Sequence, residues 1–285
     1  MKWLINYADN RFRKQQRFAE IMANQFGSFD KVICYGPDDI DNDFKATNHS
    51  TLSESRGGGY WLWKPYFIVE TLKLLKPGEI LFYADSGAFF VKPVDSILGC
   101  WPIGQDVIGF QLPLIEVQWT KTELLDSMGC NREEFTQTNQ MSASFIVFKK
   151  SEESVKFAEE YLKLCSKKSH IDDSISCEQA ADFIEHRHDQ SVFSLLYKKY
   201  GFIPMRDPTQ LGVYPRGYSA SNSCPSISKK LLKLDNGRLF LDNDINASYR
   251  SVIYHNRVEN PFLALIKYNI KRVLFHLGLY KGMVR

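Results

Sequence analysis

Tyr83-Ala84-Asp85-Ser86-Gly87 is the stretch on which the fold turns. Pro77-Gly78 marks a turn, and Glu79-Ile80-Leu81-Phe82 follows as an apolar run, which predicts a buried strand ending at the acidic Asp85. In an open α/β sheet, ligands bind outside the carboxyl ends of the strands, so a carboxylate there is placed to meet a metal, a ribose or a phosphate. Asp-Ser-Gly is also ordinary turn chemistry, and taken alone the stretch admits both readings.

Working outward, Trp3 to Ala8 reads as a first strand and Arg11 to Phe26 as a helix with Phe18, Ile21, Met22 and Phe26 on one face. Lys31 to Tyr35 is a second strand. A β-α-β opening of this kind predicts a parallel sheet. Asp39, Asp41 and Asp43 imitate the start of a calcium loop, but Phe44 stands where the loop needs glycine and Ser50 where it needs glutamate. The reading there is a solvated loop.

Arg56-Gly57-Gly58-Gly59-Tyr60-Trp61-Leu62-Trp63-Lys64-Pro65-Tyr66 is the second informative stretch. Three glycines allow close approach of backbone to a ligand, and Arg56 and Lys64 offer charge to a phosphate. Pro65 suits the first turn of a helix carrying Phe67, Ile68, Leu72, Leu74 and Leu75. The Lys-Ser/Thr ending of a P-loop and the GxGxxG fingerprint are both missing. Trp61 and Trp63 are expected in the core.

Downstream of Asp85, Phe89 to Val91 and Asp106 to Phe110 read as short strands. Thr120 with Glu123 reads as a capping box for a helix bearing Leu124, Leu125 and Met128. Gln118-Trp119 before it faces either a ligand or the core. Gln140 to Phe148 is a strand entered through small residues that leave room for a substrate, and Ser151 to Cys165 a helix. Glu185-His186-Arg187-His188-Asp189-Gln190-Ser191 leads into a helical pattern with Val192, Leu195, Leu196 and Tyr200. This puts Asp189 at a helix N-terminus, where an anionic carboxylate is favoured. His-x-His with no third ligand nearby is weak evidence for zinc. Leu232 to Leu241 around Asp235-Asn236-Gly237 predicts a β-hairpin. Ile253 to Arg257 reads as a last strand bearing His255. From Pro261 the chain is amphipathic, with Ile266, Ile270, Val273, Leu274 and Leu277 beside Lys267, Lys271 and Arg272. That pattern fits either an anionic membrane surface or docking on the body of the protein.

The 285 residues suit one large α/β domain over 1–260 with a basic helical extension over 261–285. Hydrophobic residues at 44% and charged residues at 24% exclude a disordered chain. A net charge of +3 is too small for a nucleic-acid partner. Six scattered cysteines without CxxC spacing predict free thiols in a reducing compartment. Asp9 and Arg11 interrupt the N-terminus before a signal-peptide core can form, and no run reaches the ~18 apolar residues of a membrane span. The expectation is a cytoplasmic protein, with idle sequons at Asn48 and Asn246.

Arg56-Gly57 through Lys64-Pro65, Tyr83-Ala84-Asp85-Ser86-Gly87, Gln118-Trp119-Thr120-Lys121, the Ser142 to Phe148 strand and His186-Arg187-His188-Asp189-Gln190-Ser191 lie together within residues 1–200. In this combination the chain resembles a family of bacterial and viral glycosyltransferase-like proteins of surface-polysaccharide synthesis. The resemblance implies a GT-A fold, an α/β architecture with a mainly parallel sheet, a nucleotide-sugar donor and a divalent cation, Mn²⁺ or Mg²⁺. A glycan or lipid-linked oligosaccharide is the expected acceptor, and the basic stretch over 261–285 is the expected point of peripheral contact with the inner face of the cytoplasmic membrane.

The motif order is similar to that of retaining GT-A enzymes, in which an Asp-x-Asp binds metal and nucleotide and a later Asp-Gln lies under the donor sugar. Mapped on that pattern, Asp85 takes the first aspartate and His255 the C-terminal metal-site histidine. Asp189, Gln190 and His188 take the catalytic positions. Tyr7, Arg56, Tyr60, Lys64, Asp85, Ser86 and Gly87 form the implied donor-binding set. Gly87 departs from the pattern, because the second metal-binding aspartate would stand there. The chemistry agrees with the residue types: a fixed cation stabilises the departing diphosphate, and a carboxylate stabilises the oxocarbenium-like sugar. A non-catalytic sugar- or nucleotide-binding protein and a nucleotidyltransferase are the rival classes.

Overall fold

A computed structural model describes residues 1–213, 249–255 and 260–279. Its centre is a six-stranded sheet in the order β2 (Lys31–Tyr35), β1 (Lys2–Tyr7), β3 (Ile80–Ala84), β6 (Asn139–Lys149), β5 (Val107–Ile115) and β7 (Met205–Arg206). β1 is parallel to β2 and β3, and β5 to β7, while β6 runs antiparallel to both of its neighbours. The fold class is therefore the expected α/β fold with a mixed, mostly parallel sheet. A two-stranded sheet pairs β4 (Ala88–Phe90) with β8 (Ile253–His255).

Alternation along the strands divides the core between the two faces of the sheet. Leu81, Tyr83, Ile146 and Phe148 pack with Phe67, Phe157 and Phe193 on one side. These come from three helices, α2 (Trp63–Leu74), α3 (Glu152–Cys165) and α4 (Asp189–Lys199). Phe82, Ala84, Phe145 and Val147 point the other way, onto Phe90, Phe110 and Ile253. At ~25 cal/mol per Å² of apolar surface removed from water, these two layers are the main source of stability.

Several expectations change. The first helix, α1, ends at Met22 (Arg13–Met22) and continues as a wider turn over Ala23–Gly27. Phe18 and Met22 are buried, Ile21 is exposed within α1, and Phe26 is exposed in the wider turn. Leu74, placed on the apolar face of α2, is exposed at the end of that helix. β5 runs five residues past Phe110, through Pro113. The ladder between Gln111 and Ile115 is irregular there, which accommodates a residue with no N–H to donate.

The Thr120–Glu123 capping box does not form. Thr120 Oγ1 donates to Glu116 at 2.5 Å, and Glu123 turns to a distant loop, accepting from the Cys177 amide at 3.1 Å and from the Ser176 amide. The five described cysteines are free thiols. The hairpin expected over 232–241, Cys224, Asn246 and Arg257 lie outside the described residues. The terminal helix α5 (Pro261–His276) touches the body through Ala264 and through Phe262, which meets Phe18 edge-on at 4.6 Å. No helix among the described residues is long and apolar enough to cross a membrane.

Candidate functional site

The site forms where β1 and β3 end side by side. Ile5 pairs with Tyr83, so two residues further on Tyr7 and Asp85 stand at the carboxyl edge of the sheet. Asp85 prolongs β3 by one residue, its amide donating to the Ser144 carbonyl at 2.9 Å. The turn then closes through the Ala88 amide on the Asp85 carbonyl. Asp85 thus both ends the strand and opens a turn at the sheet edge.

Two adjoining clefts open at this edge and share Trp61 and Asp85. The first is lined by Tyr7, Asp9, Arg11, Trp63, Ser86 and Gly87, among others. Tyr7 stacks on Trp63 at 3.9 Å, giving the cleft a flat aromatic wall. Burial, reinforced by Asp9, pushes the Tyr7 phenol up to about 12, so it stays a neutral hydroxyl. The second cleft is lined by Arg56, Lys64, Ser144, Glu185, Arg187, His188, Asp189 and Gln190.

The glycine stretch is the hinge between the clefts. Gly57, Gly58, Gly59, Tyr60 and Trp61 all have positive φ, between 49° and 96°, and form one left-handed turn. Left-handed backbone costs about 1–2 kcal/mol per non-glycine residue, which explains the three glycines and makes Tyr60 and Trp61 strained. Gly59 has a second reason to be glycine: a Cβ there would lie 2.7 Å from Leu52 Cα. The turn throws the half-buried Trp61 ring outward, against the expectation of a core residue. It stacks on His188 at 5.0 Å and walls both clefts. Trp63 meets the expectation, being buried. Tyr60 lies behind the site, its ring 5.3 Å from His188.

Charge in the second cleft centres on Lys64. Its side chain is 4% exposed, with Nζ 2.7 Å from Asp189 Oδ2 and 3.8 Å from Asp85 Oδ1. Tyr83 donates its hydroxyl to Asp85 Oδ1 at 2.7 Å, and Tyr161 donates to Asp189 Oδ2 at 2.9 Å. Burial raises the Asp189 carboxyl and Lys64 opposes that rise, while the nearby Asp85 adds to it. Asp189 opens α4, where the helix dipole also favours the anion.

His188 precedes it with a strained φ of 58°. Its Nδ1–H donates to the Ile171 carbonyl at 2.7 Å, and its Nε2 accepts from Arg56 Nε at 3.1 Å. Burial holds the imidazole down at about 4, so it is neutral at pH 7. Gln190 donates through Nε2 to Gln140 Oε1 at 2.8 Å. Gln140 in turn donates to the fully buried Glu116, which carries the Lys198 ammonium at 2.6 Å.

The expected residues Tyr7, Arg56, Lys64, Asp85, Ser86, Gly87, His188, Asp189 and Gln190 therefore line the clefts. His255 lines neither: it is buried on β8 opposite Ala88, edge-on to Phe145, with its backbone held by Gln210. Gln118 and Trp119 are also buried, with Trp119 packed among Leu112, Leu114 and Leu211. Sequence reasoning missed Asp9, Arg11 and Arg187. Asp9 carried a legible signal, an acid just past the end of β1 that repeats the logic applied to Asp85.

The described residues do not form a donor set for the implied divalent cation. Gly87 offers no side chain, and among the described residues no three His, Cys, Asp or Glu side chains converge to hold a metal.

No protein-family model matches the chain, and no curated protein matches it in sequence. Solved structures do match in fold. The WbbM bifunctional glycosyltransferase aligns over 90% of this chain and 46% of its own, with TM-score 0.50 and 10% identity. Mouse xyloside xylosyltransferase 1 aligns over 92% and 99%, with TM-score 0.49 and 10% identity. The glycosyltransferase GlyE of Streptococcus pneumoniae TIGR4 aligns over 98% and 64%, with TM-score 0.47 and 13% identity. The chain thus spans about half of WbbM and nearly all of the mouse enzyme. At these identities the likeness is one of architecture: the chain has a glycosyltransferase-like GT-A fold.

Proposed function

We propose that this protein is a glycosyltransferase that moves a sugar from a nucleoside-diphosphate donor to a glycan acceptor, with retention at the anomeric carbon. The observation that carries the reading is the buried Lys64 ammonium held between Asp85 and Asp189 at the junction of the two clefts. The aromatic wall of the first cleft suits a nucleoside, with Asp9 and Asp85 as hydroxyl acceptors for its ribose. The second cleft brings Arg56, Lys64 and Arg187 together with Asp85, Glu185 and Asp189, which offers cations to a diphosphate and carboxylates to a sugar.

Breaking the sugar–phosphate bond puts negative charge on the leaving diphosphate. Lys64 and Arg56 stabilise that charge more in the transition state than in the ground state. Asp189 stabilises the positive charge that develops on the sugar, from a position fixed by Lys64 and Tyr161. Gln190 is held by Gln140, and neutral His188 orients the Arg56 guanidinium.

The acceptor is a surface glycan, on the family resemblance. α5 supports its delivery at a membrane: Phe262, Leu263, Ile266, Ile270 and Val273 are exposed together with Lys267 and Lys271, a pattern suited to anionic lipid. This pattern supports a peripheral seat at the inner face of the cytoplasmic membrane.

Thermal unfolding with UDP, GDP and dTDP tests the reading of the clefts. A ligand at ~100 times its dissociation constant adds about 2.7 kcal/mol of stability. One nucleotide is expected to raise Tm, and Trp61→Ala to abolish the rise. No shift with any nucleotide would overturn the proposal.

A further inference from the structure

The turn after β3 presents one acidic side chain where the resemblance calls for two, since Gly87 follows Asp85 and Ser86, and the other acid in that cleft, Asp9, comes from the end of β1. What stands beside Asp85 is an ammonium group. Lys64 Nζ lies 3.8 Å from Asp85 Oδ1, 2.7 Å from Asp189 Oδ2 and 5.3 Å from the centre of the Tyr83 ring. The lysine is fixed by its place in the first turn of α2, and both carboxylates are oriented by tyrosine hydroxyls. A buried ammonium is costly unless paired, and Lys64 is paired with both acids. A metal ion bound on Asp85 would be drawn into the field of that ammonium and repelled by it. The acids that would otherwise hold a metal are arranged around a lysine.

We infer that Lys64 is the resident cation of this site, and that the protein binds its nucleoside-diphosphate donor without a divalent metal. The inference rests on the reading of the clefts given above. In the transfer step the bond between the anomeric carbon and the phosphate oxygen breaks, and its electron pair leaves on the diphosphate. The acceptor hydroxyl oxygen forms the new bond to the anomeric carbon, and its proton ends on the released diphosphate. Lys64 takes no part in the proton transfer and faces the charge that develops.

Calorimetric titration of the full chain with UDP, GDP and dTDP, in EDTA and separately in Mn²⁺, tests this directly. The nucleotide that binds is expected to do so with the same affinity in both buffers. Lys64→Met should weaken it by about tenfold or more in EDTA, while Lys64→Arg retains part of the affinity, because a charge-assisted contact to phosphate is lost in one and altered in the other. Binding that needs Mn²⁺ would overturn the inference and leave the reading of the clefts intact. Undiminished binding by Lys64→Met in EDTA would also overturn it. Absence of binding in both buffers would remove the inference and the functional reading together. Should Lys64→Met fail to fold, the comparison of EDTA with Mn²⁺ on the unaltered protein decides.

Discussion

Arg56 Nε donates to His188 Nε2 at 3.1 Å, tying the left-handed glycine turn to the N-terminus of α4 across the second cleft. Asp173 Oδ2, 3.3 Å from the same guanidinium nitrogen, completes the tie. The contact requires His188 to be unprotonated at Nε2, so the wall of the cleft depends on a neutral imidazole.

That dependence predicts a pH profile. Burial lowers His188 from 6.5 to about 4, the Ile171 carbonyl and Asp173 opposing only in part, and burial also holds His186 well below its ordinary range. An imidazole with a depressed folded pKa contributes stability that is fully present above its unfolded value and is lost as pH falls toward the folded one. Stability should therefore fall from pH 6.5 to about 4, by up to ~1.4 kcal/mol per pH unit for each histidine. Urea midpoints measured across that range on the unaltered protein and on His188→Gln check it. The variant should show a shallower fall, and equal slopes would contradict the assignment.

Lys64 and Asp189 predict an asymmetry between stability and turnover. Removing one partner of a buried ion pair costs about 3–5 kcal/mol, so Lys64→Met should lower the urea midpoint markedly. Lys64→Arg keeps the charge but displaces it, and is expected to fold while losing roughly 10²–10³ in turnover, the size of effect seen when a transition-state donor is lost. An arginine variant with full turnover would contradict the role given to the ammonium.

The glycine turn predicts a graded pair. At Gly58 an added Cβ meets nothing closer than 3.7 Å, so Gly58→Ala should cost only the left-handed strain of about 1–2 kcal/mol. At Gly59, with φ of 96° and Leu52 Cα at 2.7 Å, alanine adds a backbone clash to that strain. Thermal denaturation should rank Gly59→Ala well below Gly58→Ala.

On α5, Lys267→Glu with Lys271→Glu should weaken flotation with phosphatidylglycerol vesicles, each basic residue near such a surface being worth roughly 1 kcal/mol. The exposed apolar residues are untouched by these changes, so binding to neutral vesicles should stay the same. Unchanged flotation with the anionic vesicles would argue that α5 meets a different partner.

Much of this arrangement was legible in the sequence because its signals are local. Apolar runs bounded by turn residues mark β1, β2, β3 and β6, and an acid at a strand end or a helix start marks Asp85 and Asp189. The failures involve partners distant in the chain. Glu123 reads as half of a capping box, yet its carboxylate is taken by amides more than fifty residues away. Trp61 reads as core because nothing local reveals that a run of left-handed residues turns its ring outward. The Glu116–Lys198 pair that supports Gln140 and Gln190 joins the residue just after β5 to α4, a proximity set only by the finished sheet.

The central claim is that the junction at Lys64 transfers a sugar. The most direct measurement incubates the purified protein with UDP-, GDP- and dTDP-sugars, radiolabelled either in the sugar or in the phosphate, together with surface glycan as acceptor. The account predicts that sugar label from one donor enters the glycan, that phosphate label does not, and that Lys64→Arg reduces the transfer. Phosphate label in the glycan, or no transfer from any of the donors, would contradict it.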